Sequence, residues 1–141
     1  MNSVIIDTHI FIWYITNPNK LAYQASSALR QAVNNGYPIY LSTISIVEIC
    51  YLTEKAKISP IVLENIKAEM NEINAGVKII PLSPEISLTL QQIPRQTVPE
   101  MGDRIIAATA LYLGLPLVTK DHKIRELSII QTIWDSSSPN A

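Results

Sequence analysis

Asp7, Glu48, Asp103 and Asp121 are the residues whose type and placement could do chemistry. Aspartate occurs only at 7, 103, 121 and 135. Asp7 interrupts the apolar run "VIIDTHIFIW" (4–13), and a charge in such a run is expensive to bury unless something pairs with it. Glu48 is embedded in "SIVEICYL" (45–52), whereas Glu54, Glu64, Glu69 and Glu72 fall on helix faces open to solvent. Four carboxylates gathered in a small space repel one another and raise their own pKa values. A divalent cation with oxygen ligands relieves that repulsion, and Mg²⁺ takes a few carboxylates while keeping several waters. Such a site can orient a water and stabilise charge on a phosphoryl group, which is the chemistry of phosphodiester hydrolysis.

Each acid also has a plainer reading. "SIVE" at 45–48 fits the S-x-x-E capping box, in which Glu48 would bind back to the amide of Ser45. Asp103 suits a helix N-cap, and Asp121 in "TKDHK" suits a turn. Asp7 could cap the helix that follows it through Thr8 and His9. Taken together these readings leave three carboxylates at strand ends or helix starts by accident, which favours a shared site.

Position follows from the elements. The runs 3–7, 38–42, 77–80, 115–119 and 129–134 read as five strands, being short, apolar and rich in β-branched residues. Helical patterns fall between them. One follows Asp7 and stops near "NPN" (17–19), and one runs from about Leu21 to a C-cap at Gly36. A third spans about Ser45 to Lys57. The next starts at Ser59-Pro60, with Leu63, Ile66, Met70 and Ile73 on one face, and ends at Gly76. Another begins at "SPE" (83–85). "IPRQTVP" (93–99) is a loop, Asp103 opens a helix closed by Gly114, and a short helix lies near 122–127. Strands alternating with helices predict a three-layer α/β/α sandwich around a mostly parallel sheet. Ligands then sit at the carboxyl ends of the strands. If strands one and four are neighbours, Asp7 and Asp121 face one crevice, and Glu48 and Asp103 can join them.

Length and composition set bounds. The 141 residues suit one domain, expected over 1–134 with a flexible tail at 135–141. With 48% apolar and 16% charged residues the chain is globular rather than disordered. A net charge of −1 argues against holding nucleic acid by bulk positive charge, leaving only local basic patches. The lone Cys50, among apolar neighbours, reads as a small core residue and fits a reducing cytoplasm. No signal peptide is legible, and the apolar uncharged run 105–119 is too short to cross a bilayer. A soluble cytoplasmic protein is expected.

The cations cluster late in the chain. Lys120, Lys123 and Arg125 surround Asp121, and Arg104 follows Asp103. A solvated face is their default reading, but beside a metal site they could hold RNA phosphates. Arg95 is a weaker candidate. His9 and His122 each sit near an acid, yet no H-x-x-x-H or cysteine pair supports zinc. His9 is expected to hydrogen-bond near the helix start, and His122 to face solvent.

"VIIDTHIFIW", "ISIVEI" and "GDRIIAATALYLGLPLVTKD" (102–121), in that order, resemble the PIN-domain nucleases, and most closely the VapC-type toxins of toxin–antitoxin pairs. The resemblance implies an α/β/α fold and a Mg²⁺- or Mn²⁺-dependent endoribonuclease. It implies Asp7, Glu48, Asp103 and Asp121 as the catalytic, metal-holding acids, with Asp7 and Asp103 as the direct ligands. Thr8 and Thr119 match the hydroxyl positions that support the first and last acids. A homodimer and a cognate antitoxin protein are implied as well.

Two other readings bound this one. A receiver-like phospho-acceptor would need an aspartate at the end of the middle strand, where "VKIIPLS" (77–83) has none. A catalytically silent PIN-like binding module is the alternative function. Dinucleotide binding is disfavoured, because no G-x-G-x-x-G follows a strand.

Overall fold

The computed structural model describes residues 3–135. Five strands, β1 (Val4–Ile6), β2 (Ile39–Ser42), β3 (Val77–Ile80), β4 (Leu117–Val118) and β5 (Thr132–Ile133), form one sheet in the order β3-β2-β1-β4-β5. Every pairing is parallel. β1 is central, with Ile5 against both Tyr40 and Leu117. The expected neighbouring of the first and fourth strands is therefore realised.

Among the described residues seven α-helices connect the strands: α1 (Thr8–Thr16), α2 (Tyr23–Asn34), α3 (Thr43–Glu54), α4 (Ile61–Met70), α5 (Pro84–Thr89), α6 (Met101–Leu113) and α7 (His122–Arg125). Successive strand residues point to opposite faces, and β1 uses both. Val4 and Ile6 enter a core with Phe11, Leu29, Leu41, Ile49, Val62 and Ile66, under α1 to α4. Ile5 enters a second core with Ile86, Ile93, Val98, Ile106, Leu117 and Ile124, under α5 to α7. Each fully buried isoleucine contributes about 1.5–3 kcal/mol, so the sheet centre is the rigid part of the molecule. The result is the expected three-layer sandwich.

Element ends depart from expectation where polar side chains decide them. α3 starts at Thr43, and its N-cap is Ser42, whose Oγ accepts from Ile44 N at 3.2 Å. Ser45 is therefore inside the helix and buried, and the capping box with Glu48 does not form. α6 starts at Met101, so Asp103 lies in its first turn and is not its cap. It ends as expected at Gly114, whose φ of +67° suits a residue without Cβ. α4 ends at Met70 rather than near Gly76. Asn71 Nδ2 donates to Lys67 O at 3.0 Å and Glu69 Oε1 accepts from Val77 N at 3.1 Å, which turns the chain toward β3. Ile73, expected on the buried face, is 89% exposed and Met70 is exposed too.

β4 and β5 are shorter than the runs that announced them, and α7 stops at Arg125. Of the expected tail only Asp135 is among the described residues. Among the described residues, no helix is long and apolar enough to cross a membrane.

Candidate active site

The chain leaves β1 at Ile6, and Asp7 is the next residue. Its Oδ1 accepts from Ile10 N at 2.9 Å, capping α1. Its Oδ2 accepts from the hydroxyl of Thr119, which follows β4. The capping reading and the site reading of Asp7 are thus both true, since one carboxylate does both. Asp7 is 8% exposed and Thr119 is 0% exposed. Burial pushes the Asp7 pKa up, the bonds from Thr119 and Ile10 pull it back, and the nearby Asp121 charge raises it. Thr119 Oγ1 also accepts from Asp121 N at 3.0 Å. One hydroxyl therefore ties the ends of β1 and β4 to the turn that carries Asp121.

Asp121 caps α7, its Oδ1 accepting from Ile124 N at 2.9 Å. Glu48 faces inward from α3 and is hydrogen-bonded through Oε1 to the Thr8 hydroxyl, which also meets Ser45 Oγ at 2.8 Å. Three of the four acids are thus held by bonds that fix their rotamers. Asp103 is half-buried in the first turn of α6. Its pKa is raised to about 7 by burial first, then by the charges of Asp121, Glu48, Asp7 and Glu100. Four carboxylates within electrostatic reach of a fifth define the polarity of the place.

Asp7, Glu48, Asp103 and Asp121 all line one open pocket of about 850 Å³ at the carboxyl edge of the sheet. Among the described residues, no three of His, Cys, Asp or Glu form a ready metal cage. The acids are pinned by their own bonds around a shared space. An oxygen-only donor set of this kind, with one acid carrying the strain of the others' charge, fits a hard cation that retains waters. It does not fit the nitrogen and sulfur chemistry of zinc.

Gly102 explains how Glu48 comes so close to α6. A Cβ on Gly102 would lie 2.0 Å from Glu48 Oε2 and 2.9 Å from its Cδ. The glycine is needed for the carboxylate rather than for any turn of the backbone.

The cations divide. Lys120 lines the pocket, its Nζ 5.6 Å from the Trp13 ring and 5.9 Å from the Trp134 ring. Arg104, expected to hold phosphates, is spent elsewhere. Its Nη2 donates to Leu90 O at 3.0 Å and Ile93 O at 2.9 Å, and its Nε to Ile93 O at 3.2 Å. It staples the loop before α6, adding to the bond that Leu90 O already accepts from Ile93 N at 3.0 Å. Lys123, Arg125 and Arg95 lie outside the pocket lining. His9 is exposed, with its ring tilted against Trp13 at 6.2 Å. His122 faces solvent and meets Glu126 Oε2 at 2.8 Å.

Sequence reasoning missed several lining residues. Ile44, Val47, Tyr51, Leu52 and Met101 form an apolar wall beside the acids. Their signal was α3 itself, which is apolar nearly all round although one side is open. Trp13 was legible too, lying four residues after His9 and so on the same face of α1.

An acidic pocket at the carboxyl edge of a parallel α/β/α sandwich is thus the class of domain that fold and site define. More particularly, the chain matches the PIN domain model over residues 4–130 and belongs to that family. It is 27% identical over 125 residues to Ribonuclease VapC22 of Mycobacterium tuberculosis, covering 89% of this chain and 92% of that one. Its fold is like that of a chain in the crystal structure of Rickettsia felis VapBC2 bound to a promoter DNA fragment, with a TM-score of 0.68, 18% identity and coverage of 94% and 99%. It is also like a chain in DNA-bound VapBC of Salmonella typhimurium, with a TM-score of 0.66, 20% identity and coverage of 96% and 98%.

Proposed function

We propose that this protein is a divalent-metal-dependent endoribonuclease, the toxin of a toxin–antitoxin pair, working in the cytoplasm. The observation that carries the reading is the convergence of Asp7, Glu48, Asp103 and Asp121 on one pocket, with Asp103 raised to about 7 by burial and then by its neighbours' charges. Membership of the PIN family and the likeness to a named ribonuclease support the same activity.

Asp7 and Asp103 would hold Mg²⁺ or Mn²⁺, and Glu48 and Asp121 would complete the negative shell. When bound, the cation supplies Lewis acidity and offsets charge on the scissile phosphate. Thr119 keeps Asp7 in one rotamer, and Thr8 with Ser45 does so for Glu48. These acids therefore need little reorganisation when the RNA phosphate arrives. Lys120 and Lys55, both in the pocket lining, are the cations placed to meet that strand, whereas Lys123 and Arg125 would meet it only farther out.

The antitoxin partner is supported by the toxin–antitoxin complexes among the structural neighbours. The apolar wall of Val47, Tyr51 and Met101, exposed beside the acids, gives such a protein a surface to cover. A homodimer belongs to the same proposal. Induced expression followed by sequencing of cellular RNA ends tests the function. New ends are expected with wild type and not with Asp103→Asn, and the same ends in both would refute the reading.

Gly102→Ala gives a second check. Ala improves a helix over Gly by about 1 kcal/mol, and the clashing atom is the far end of a flexible side chain. Folding stability should therefore stay within about 1 kcal/mol of wild type. The Glu48 carboxylate must nevertheless move off Thr8, so Mn²⁺ affinity by calorimetry should fall about tenfold, as for loss of a positioning partner. Unchanged affinity would mean that Glu48 takes no part in holding the cation.

A further inference from the structure

Two lysines meet at one indole beside the pocket. Lys20 Nζ lies 5.5 Å from the Trp13 ring and Lys120 Nζ 5.6 Å from it. Trp134 extends the platform, its ring 6.3 Å from Trp13, with Lys120 Nζ 5.9 Å away. The four residues come from two parts of the chain: α1 with the 3₁₀ turn Pro18–Lys20 that follows it, and the ends of β4 and β5. Lys120 stands between Thr119 and Asp121, so its backbone is fixed by the acid site. Its side chain runs to the indoles all the same. Neither of the ion pairs Lys67–Glu64 and His122–Glu126 uses Lys20 or Lys120.

Ammonium groups gathered at one ring repel each other, and the ring quadrupole offsets only part of that cost. An anion between or beside them removes it. The pocket's carboxylates do not serve as that anion, although Asp121 is the next residue. Trp13 is half-buried and lines the pocket, so the platform is continuous with the acids.

We infer that Trp13, Trp134, Lys20 and Lys120 form a docking site for an unpaired RNA strand running out of the acidic pocket. The two lysines take backbone phosphates and the Trp13 ring stacks a base. This rests on the nuclease reading and adds to it the residues that would hold the strand outside the acids. A base can stack on an indole only when it is free of its own duplex stack, so the strand is a single-stranded region or loop. With a net charge of −1 the chain has no bulk attraction for RNA, so these few contacts should dominate binding.

The chain has two tryptophans, and both lie in this cluster. Their intrinsic fluorescence is therefore a direct probe. A mixed-sequence, unstructured 12-nucleotide RNA is titrated into full-length Asp7→Asn protein in Mg²⁺, at several salt concentrations. The strand should quench the tryptophans, and the same strand annealed to its complement should bind at least several-fold more weakly. Two phosphate contacts give a slope of log K against log salt of about −1.4, falling to about −0.7 in Lys20→Ala or Lys120→Ala. Both lysines are exposed, so neither variant threatens the fold.

In the otherwise wild-type protein, each lysine variant should raise KM for cleavage more than it lowers kcat. Absence of quenching, equal binding of duplex, or cleavage with unchanged KM in both lysine variants would overturn the docking site and leave the nuclease reading standing. Quenching with the expected slope from a protein that cuts no RNA would do the reverse.

Discussion

Asp7→Asn ends RNA cleavage and leaves the protein at least as stable as before when no metal is present. Asn replaces the carboxylate atom for atom. Its Oδ1 still accepts from Ile10 N, and its amide meets Thr119 Oγ1, which can accept as well as donate. The cost is the acceptor that the buried Thr119 hydroxyl proton gives up. The charge, however, is gone. Burial raises the Asp7 pKa, which means that the folded state disfavours its ionised form. For an acid raised in this way, stability is greatest below its unfolded pKa and falls as pH rises above it. At pH 8 wild type carries that cost and Asn does not. Thermal melts in EDTA at pH 8 should therefore put Asp7→Asn at or above wild type. Cleavage, by contrast, should fall on the order of 10³-fold or more, as for removal of a group that stabilises developing charge in the transition state. A well-folded Asp7→Asn protein that cuts RNA like wild type would sink the proposed role of this residue.

Asp103 carries the second large effect. Its pKa is raised to about 7 by burial, Asp121, Glu48, Asp7 and Glu100, in that order. Without metal the folded protein holds a proton there that the unfolded chain releases near pH 4. Wild-type stability should therefore decline as pH rises from about 4 to about 7 and then level off. The residue is half-buried and solvent screens part of the repulsion, so the decline attributable to Asp103 is about 1–2 kcal/mol. Asp103→Asn should remove it, melting above wild type at pH 8 and level with it at pH 4.5.

Saturating Mn²⁺ should invert the order at pH 8. A ligand at 100 times its Kd stabilises by about 2.7 kcal/mol, which is about 9 °C for a domain of this size. Wild type should gain that shift and Asp103→Asn should not. A flat wild-type profile between pH 4 and 7, or an equal Mn²⁺ shift in both proteins, would show that Asp103 neither bears the repulsion nor holds the cation.

Much of the arrangement was legible before any coordinates. Asp7 and Asp121 follow two apolar runs, and parallel sheets present strand ends on one side, so their meeting followed from β1 and β4 being neighbours. What stayed hidden was settled by competition between near-equivalent polar side chains. Ser42 and Ser45 both suit an N-cap. Ser42 wins because β2 ends there, and Ser45 turns inward to Thr8 and helps to anchor Glu48. Asp103 and Glu100 both stand near the start of α6, which begins early enough to free Asp103 from capping. Arg104 looked like a phosphate contact because Asp103 is its neighbour in sequence. On a helix adjacent residues point about 100° apart, and Arg104 points to the carbonyls of Leu90 and Ile93. Gly102 gave no signal of its own, since its reason lies on another helix, in Glu48.

Asp7, Glu48, Asp103 and Asp121 would together hold the divalent cation, which would supply Lewis acidity for hydrolysis of the RNA phosphate. The most direct test incubates purified wild type with a 5′-labelled single-stranded RNA in Mg²⁺ or Mn²⁺, with and without EDTA, and identifies the new ends. Attack by water, rather than by the neighbouring 2′-hydroxyl, predicts cleavage that stops in EDTA and leaves no 2′,3′-cyclic phosphate. Cleavage that persists in EDTA and leaves cyclic ends would contradict the account.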